Sequence, residues 1–325
     1  MLSRIAEALF WIGRYVERAE DTARLLDVQL QLLVEDPWLD ESTACANLLA
    51  VMGAPLDGSG GASADGSADG GPAAPAPDRR TVLDRLGYDP FSSASIVASI
   101  GGARENARRA RETVSTEMWE VLNTAYNAVP SGRWRAVSPH TFFAWVRDRT
   151  STVTGIADST MSRDDGWLFL VLGRSIERAD MTARLITSTA SLGGPASRWP
   201  SLLRACGAHE TFLRTYRGLE DETEAAEFLL LDRLFPRSIV HALAQAERCL
   251  AELESSGQRA GVFDEAQRRL GRARAELEYR PLTDVLAHLP DEMERVQRTC
   301  SAASDAVARR YFSSAEALTW VGGTA

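Results

Sequence analysis

Residues 13–26 read GRYVERAEDTARLL, and residues 173–186 read GRSIERADMTARLI. Gly, Arg, Glu, Arg, Ala, Thr, Ala, Arg and Leu stand at the same relative places in both stretches. At 100° per residue, Ile12, Val16, Ala19, Ala23 and Leu26 fall on one apolar stripe. Arg14 and Arg18 share another face with Thr22 beside them, Glu17 flanks Arg14, and Glu20 stands four residues before Arg24. Arg174, Glu177, Arg178, Asp180, Thr182 and Arg184 repeat that arrangement. Both stretches therefore read as long amphipathic helices that carry the same charged face.

The likeness extends outward. Trp38, Ala44 and Cys45 are matched by Trp199, Ala205 and Cys206 at an offset of 161, and LDRL at 83–86 returns at 231–234. Each LDRL is followed by a Pro (Pro90, Pro236) and then by SIV, at 95–97 and 238–240. The offset falls to 148 and then 143, as expected if a stretch in the first half has no counterpart in the second. That stretch is 53–80, rich in Gly, Ser, Ala, Pro and Asp, which reads as a flexible insertion. A shorter break is expected at 191–200. Elsewhere apolar residues recur at spacings of three and four, and period-two alternation is scarce. The expected fold is all-α: a single helical bundle of two tandem pseudo-symmetric repeats, about 1–150 and 151–325.

A chain of 325 residues with 45% hydrophobic and 25% charged content is that of a globular protein. A net charge of -9 speaks against general nucleic-acid binding, which selects a basic surface. All 36 basic residues are Arg, so chemistry that needs a lysine is excluded, including a P-loop and a Schiff base. Four scattered cysteines without CxxC spacing read as reduced thiols of a cytoplasmic protein. No apolar run reaches the roughly 18 residues of a membrane helix. None of the four histidines has a Glu three residues before it, which argues against a ferritin-like metal site, and no cofactor is expected.

The charged face admits three readings. Glu20–Arg24 and Asp180–Arg184 are ordinary i,i+4 pairs of a solvated helix. Arg14 with Arg18, and Arg174 with Arg178, are like charges at i,i+4, which calls for an anion between them. Glu17 and Glu177 exchanged between the copies supply one as a buried structural network. A bound phosphate or peptide carboxylate supplies one as a ligand site in a groove where Arg14, Arg18, Arg174 and Arg178 meet. Glu17, Glu177, Arg24 and Arg184 are further candidates for that site.

WIGRYVERAEDTARLL, ARENARRARETVSTEMWEVLN, STMSRDDGWLFLVLGRSIERADMTARLI and FLLLDRLFPRSI closely resemble the bacterial alpha-E domain family, an all-helical group named for its glutamates. The resemblance covers essentially the whole chain apart from the Gly/Ser-rich stretch. It implies association with an ATP-grasp-type ligase and a transglutaminase-like peptidase, hence a role in making or processing an amide-linked product. It supplies no catalytic residue. It implies that Arg104, Glu105, Asn106, Glu117 and Trp119 of the third charged segment face the same interior as Arg14 and Arg174. The leading expectation is an auxiliary subunit that binds a ligase, a peptide or a small acidic ligand. The alternatives are an enzyme with Glu17 and Glu177 as acid and base, and a purely structural bundle.

Overall fold

The computed structural model describes residues 1–36, 38, 40–54, 76–129, 133–191, 198–216, 221–254 and 261–312. All regular structure among them is helical. The eight helices of thirteen residues or more among the described residues are α1 (Ser3–Glu35), α2 (Ile96–Arg109), α3 (Thr116–Ala128), α4 (Pro139–Thr160), α5 (Asp165–Ser191), α6 (Ile239–Leu253), α7 (Glu265–Glu278) and α8 (Leu289–Tyr311). The caps are written in the sequence. Ser95, Ser115, Ser238 and Asp264 precede α2, α3, α6 and α7, and their side chains accept from the N–H three residues on at 2.7–3.2 Å.

The two helices that carry the repeated motif, α1 and α5, form the centre. α2 and α4 pack on α1, with α3 against both of them. α6 and α8 pack on α5, with α7 against both of them. Buried apolar side chains from Ile5 to Val307 join into one core. At the crossing of α1 and α5 the backbones touch. A Cβ on Gly13 would overlap the Leu170 carbonyl oxygen and lie 2.8 Å from the Arg174 nitrogen. A Cβ on Gly173 would overlap the Phe10 carbonyl oxygen and lie 3.3 Å from the Arg14 nitrogen. Only glycine permits that approach, which is why Gly opens both copies of the motif.

The segments around the centre share hydrogen-bond patterns. Asp89 accepts from the N–H of Phe91 at 2.9 Å, and Asp232 from that of Leu234 at 2.8 Å. The Ser95 hydroxyl donates to the Asp89 carbonyl, and the Ser238 hydroxyl to the Asp232 carbonyl. This geometry matches 89–97 with 232–240, at the spacing of the two SIV segments. It does not match the two LDRL segments: 83–86 lies in a π-helical turn, Leu83–Tyr88, whereas 231–234 straddles the end of the helix Glu222–Leu231. Cys45 and Cys206 are not counterparts either. Cys45 lies inside the helix Glu41–Val51, and Cys206 follows the helix Arg198–Ala205. The matching ends are Met52–Gly53–Ala54 and Cys206–Gly207–Ala208. Both donate back to three helical carbonyls in the same order, with positive φ at the glycine, 71° and 63°.

Residues 55–75, most of the expected insertion, lie outside the described residues, as do 192–197 of the expected break. The edges of both need correction. Gly53 and Ala54 finish a helix, Asp78 caps the helix Arg79–Val82, and Arg198 to Pro200 are helical.

Candidate functional site

Glu17 and Glu177 lie one turn beyond the glycine crossing, and each helix presents its glutamate to arginines of the other. Glu177 accepts from Arg14, and from Arg18 at 2.6 and 3.1 Å. Glu17 accepts from Arg178 at 2.7 Å and pairs with Arg237 at 2.9 Å. The two carboxylates are 1% and 0% exposed. Burial alone would raise their pKa values. For Glu177 the Arg14 and Arg18 guanidiniums outweigh burial and hold it at about 2. For Glu17, Arg178 and Arg237 outweigh burial and hold it below the carboxylate range. Neither group carries a proton to exchange near neutral pH.

A second tier surrounds this pair. Glu20 accepts from Arg24 at 3.0 and 2.9 Å, and Asp180 from Arg184 at 2.8 Å, the i,i+4 pairs legible in the sequence. Arg184 also donates to the Val51 carbonyl at 2.6 Å, fastening the end of the helix Glu41–Val51. Arg237 reaches α1 from the loop before α6 and holds Glu17, Glu20 at 2.8 Å and Asp21. Burial, with Glu17 and Glu20 nearby, pushes Asp21 up to about 7 in spite of Arg237. Burial likewise raises Asp180, with Arg184 opposing.

The four arginines of the motif differ in their partners. Arg14, beyond its bond to Glu177, donates to the Ser304 hydroxyl at 2.6 Å. Arg18 is held by Glu177, and Arg178 by Glu17. The Arg174 side chain is only 14% exposed, its Nε has no hydrogen-bond partner, and its carboxylate neighbour is Asp158 at 3.8 Å. Burial and the like charge of Arg178 lower its pKa. Arg174 and Arg178 line an open cavity of about 390 Å³ together with Arg163, His241, Trp167 and Asp158.

The third charged segment does not join this centre in any described contact. Arg104 sits over Trp119 and Tyr126, 5.3 and 5.2 Å from the ring centroids, and donates to Asn123 at 3.2 Å. Glu105 pairs with Arg108 along α2, and Asn106 donates to the Gly102 carbonyl at 2.8 Å. Glu117 is exposed. These residues form an outer patch on α2 and α3.

Reading the motif alone misses Arg237, Asp21, Ser304 and the cavity residues Arg163, Trp167 and His241. Arg237 left a signal. In the aligned segments SASIV and PRSIV, it is the arginine that stands opposite Ala94. All four cysteines are free and buried. Burial pushes Cys206 up to about 12 and Cys45 and Cys249 to about 11, so none is an activated thiol. Among the described residues no helix is long and apolar enough to cross a membrane.

An uncharacterised protein of Mycobacterium bovis is 30% identical over 297 residues, covering 84% of this chain and 33% of its own length. One of Mycobacterium tuberculosis is 29% identical over the same length. The chain thus spans about a third of the curated relatives it matches. No solved structure matches it. The model of Alpha-E, described as a predicted alpha-helical domain with a conserved ER motif, matches residues 1–312. Glu17–Arg18 and Glu177–Arg178 are two ER pairs, placed where α1 and α5 meet, and the chain belongs to the Alpha-E family.

Proposed function

We propose that this chain is an accessory binding module of an ATP-grasp-dependent amide- or peptide-forming system. It acts in the cytoplasm beside a ligase and a transglutaminase-like peptidase, and its ER network is the scaffold of the module. The observation that carries this reading is the state of Glu17 and Glu177. A general acid or base must reach substrate and titrate near the working pH. Both glutamates are enclosed, doubly bound by arginine and held ionised, which favours architecture over the acid–base alternative. The relatives lend support of another kind: there the matching unit is one third of a longer chain, as suits a module that works joined to other sequence.

The module itself is read as one domain of two tandem repeats, about 1–150 and 151–325. Support comes from the reciprocal contacts of Gly13 and Gly173, the exchange of Glu17 and Glu177, and the paired loop and helix-end geometries. The first half alone would leave Glu17, Arg14 and Arg18, and the second half alone Glu177 and Arg178, without the ion-pair partners that packing the copies together supplies.

The test is purification of the tagged chain from its native host, with mass spectrometry of what it retains. An ATP-grasp-type ligase is expected in the complex, with amide-forming turnover that needs the ligase. Turnover by the isolated chain that Glu17→Gln abolishes while the helical signal and melting temperature persist would replace this reading with the enzymatic one.

A further inference from the structure

We infer that the cavity at Arg163, Arg174 and Arg178 is a binding site for an oxyanion, the carboxylate or phosphate end of a small molecule or chain terminus. The site arises from a break in the symmetry of the ER network. On one side, Arg14 and Arg18 both hold Glu177. On the other side the same arrangement would put Arg174 and Arg178 on Glu17. Arg237 takes the place of Arg174 there, at 2.9 Å from Glu17. Ala94, at the matching point of the other loop, has no side chain that reaches Glu177. Arg174 is consequently a guanidinium without a close carboxylate, its nearest being Asp158 at 3.8 Å, and its buried Nε donates to nothing. Buried donors are nearly always satisfied, and a guanidinium so poorly paired has charge to offer a partner in the cavity that its side chain lines.

The surroundings define that partner. Arg163 and Arg178 line the cavity with Arg174 and His241, against the single carboxylate of Asp158, which is 49% exposed. A positive concavity in a protein of net charge -9 marks a place that selects anions. The Arg163 guanidinium carbon lies 3.6 Å from the Trp167 ring centroid, and the group donates to the Asp158 carbonyl at 2.8 Å, so its fork is held in place. Trp167, Val171 and Ala242 supply an apolar wall, and about 390 Å³ is room for a carbon skeleton behind the charged end.

This inference goes beyond the accessory-module reading and stands or falls separately from it. Calorimetric titration of the full chain with inorganic phosphate and with glutarate, at low and constant ionic strength, is expected to show saturable binding. Arg174→Gln should weaken it about tenfold or more and leave the melting temperature unchanged or raised, since a buried charge without a close carboxylate is removed. Arg163→Gln, at an exposed position, tests the same site without risk to the fold and should weaken binding several-fold. Binding of phosphate alone, or of glutarate alone, identifies which end group the site takes. Absence of saturable binding by the parent, or affinity unchanged in both variants, overturns the proposal. Loss of ligase co-purification would leave these titrations unaffected, and failed titrations would leave co-purification intact.

Discussion

Each carboxylate of the ER motif is an ion held at the centre of a protein, and that sets its energetic role. Removing charge from Glu177 leaves Arg14 and Arg18 enclosed without it. Breaking one side of such a pair costs about 3–5 kcal/mol, so Glu177→Gln should lower the urea midpoint by that equivalent. The pH dependence has a definite sign. A carboxylate held at about 2 in the folded chain, against 4.5 unfolded, stabilises the fold above pH 4.5, and that contribution is lost as pH falls towards 2. The amount is about 3 kcal/mol. Asp21 works the other way. Its folded pKa of about 7 lies above the ordinary 3.8, so its contribution is present at low pH and is lost as pH rises through 7. Urea unfolding between pH 5 and 2 should show a decline in the parent that is shallower in Glu177→Gln. Parallel curves would assign acid sensitivity to other groups.

At the level of elements, the α1–α5 crossing decides how the ER motif is used. Gly13 and Gly173 let two backbones meet, and only at that separation can side chains one turn away exchange partners. A methyl group at either glycine collides with a carbonyl oxygen of the opposite helix, which has no rotamer to escape into. Overpacking a core ordinarily costs about 1–3 kcal/mol, and backbone collision places Gly13→Ala and Gly173→Ala at or above the upper end. Thermal melting of each variant checks this. A melting temperature within a degree or two of the parent would show that the helices separate freely and that the crossing is not what orients the glutamates. The two loops that precede α2 and α6 act at the same scale. Their shared geometry delivers Ala94 on one side and Arg237 on the other, and that single difference leaves Arg174 facing a cavity.

At the scale of the whole molecule, the segment between Ala54 and Asp78 has a composition unlike the rest of the chain, rich in Gly, Ala, Ser, Pro and Asp. The chain resumes beside the start of the helix Glu41–Val51, where Arg79 pairs with Glu41 at 3.0 Å, so a replacement linker must span roughly the 16 Å length of that helix. The sequence of 55–75 offers few apolar side chains to a core, and loop closure changes stability only slowly with length. Replacing 55–75 by a short Gly/Ser linker should shift the melting temperature by no more than a few degrees. The cut should spare Gly53 and Asp78, which belong to helix ends. A large drop would mean that the segment contributes to packing.

Much of this architecture was written in the order of residues, because helices are local objects. Spacings of three and four fixed the helical class, Ser95 and Ser238 announced their helices, and the recurrence of GRxxERA pointed to two equivalent central helices. The pairs Glu20–Arg24 and Asp180–Arg184 were legible because one turn of helix sets their separation. Identity of letters misled where local structure differed: LDRL falls in a π-helical turn once and across a helix end the second time. Tertiary structure alone decided which arginine meets which glutamate. Arg14 and Glu177 are 163 positions apart, and Arg237 and Asp21 are 216 apart, separations that no periodicity encodes. Choosing the buried network over the solvated face therefore required the α1–α5 contact. Recognising Arg174 as the guanidinium left over required knowing that Arg237 had reached Glu17 first.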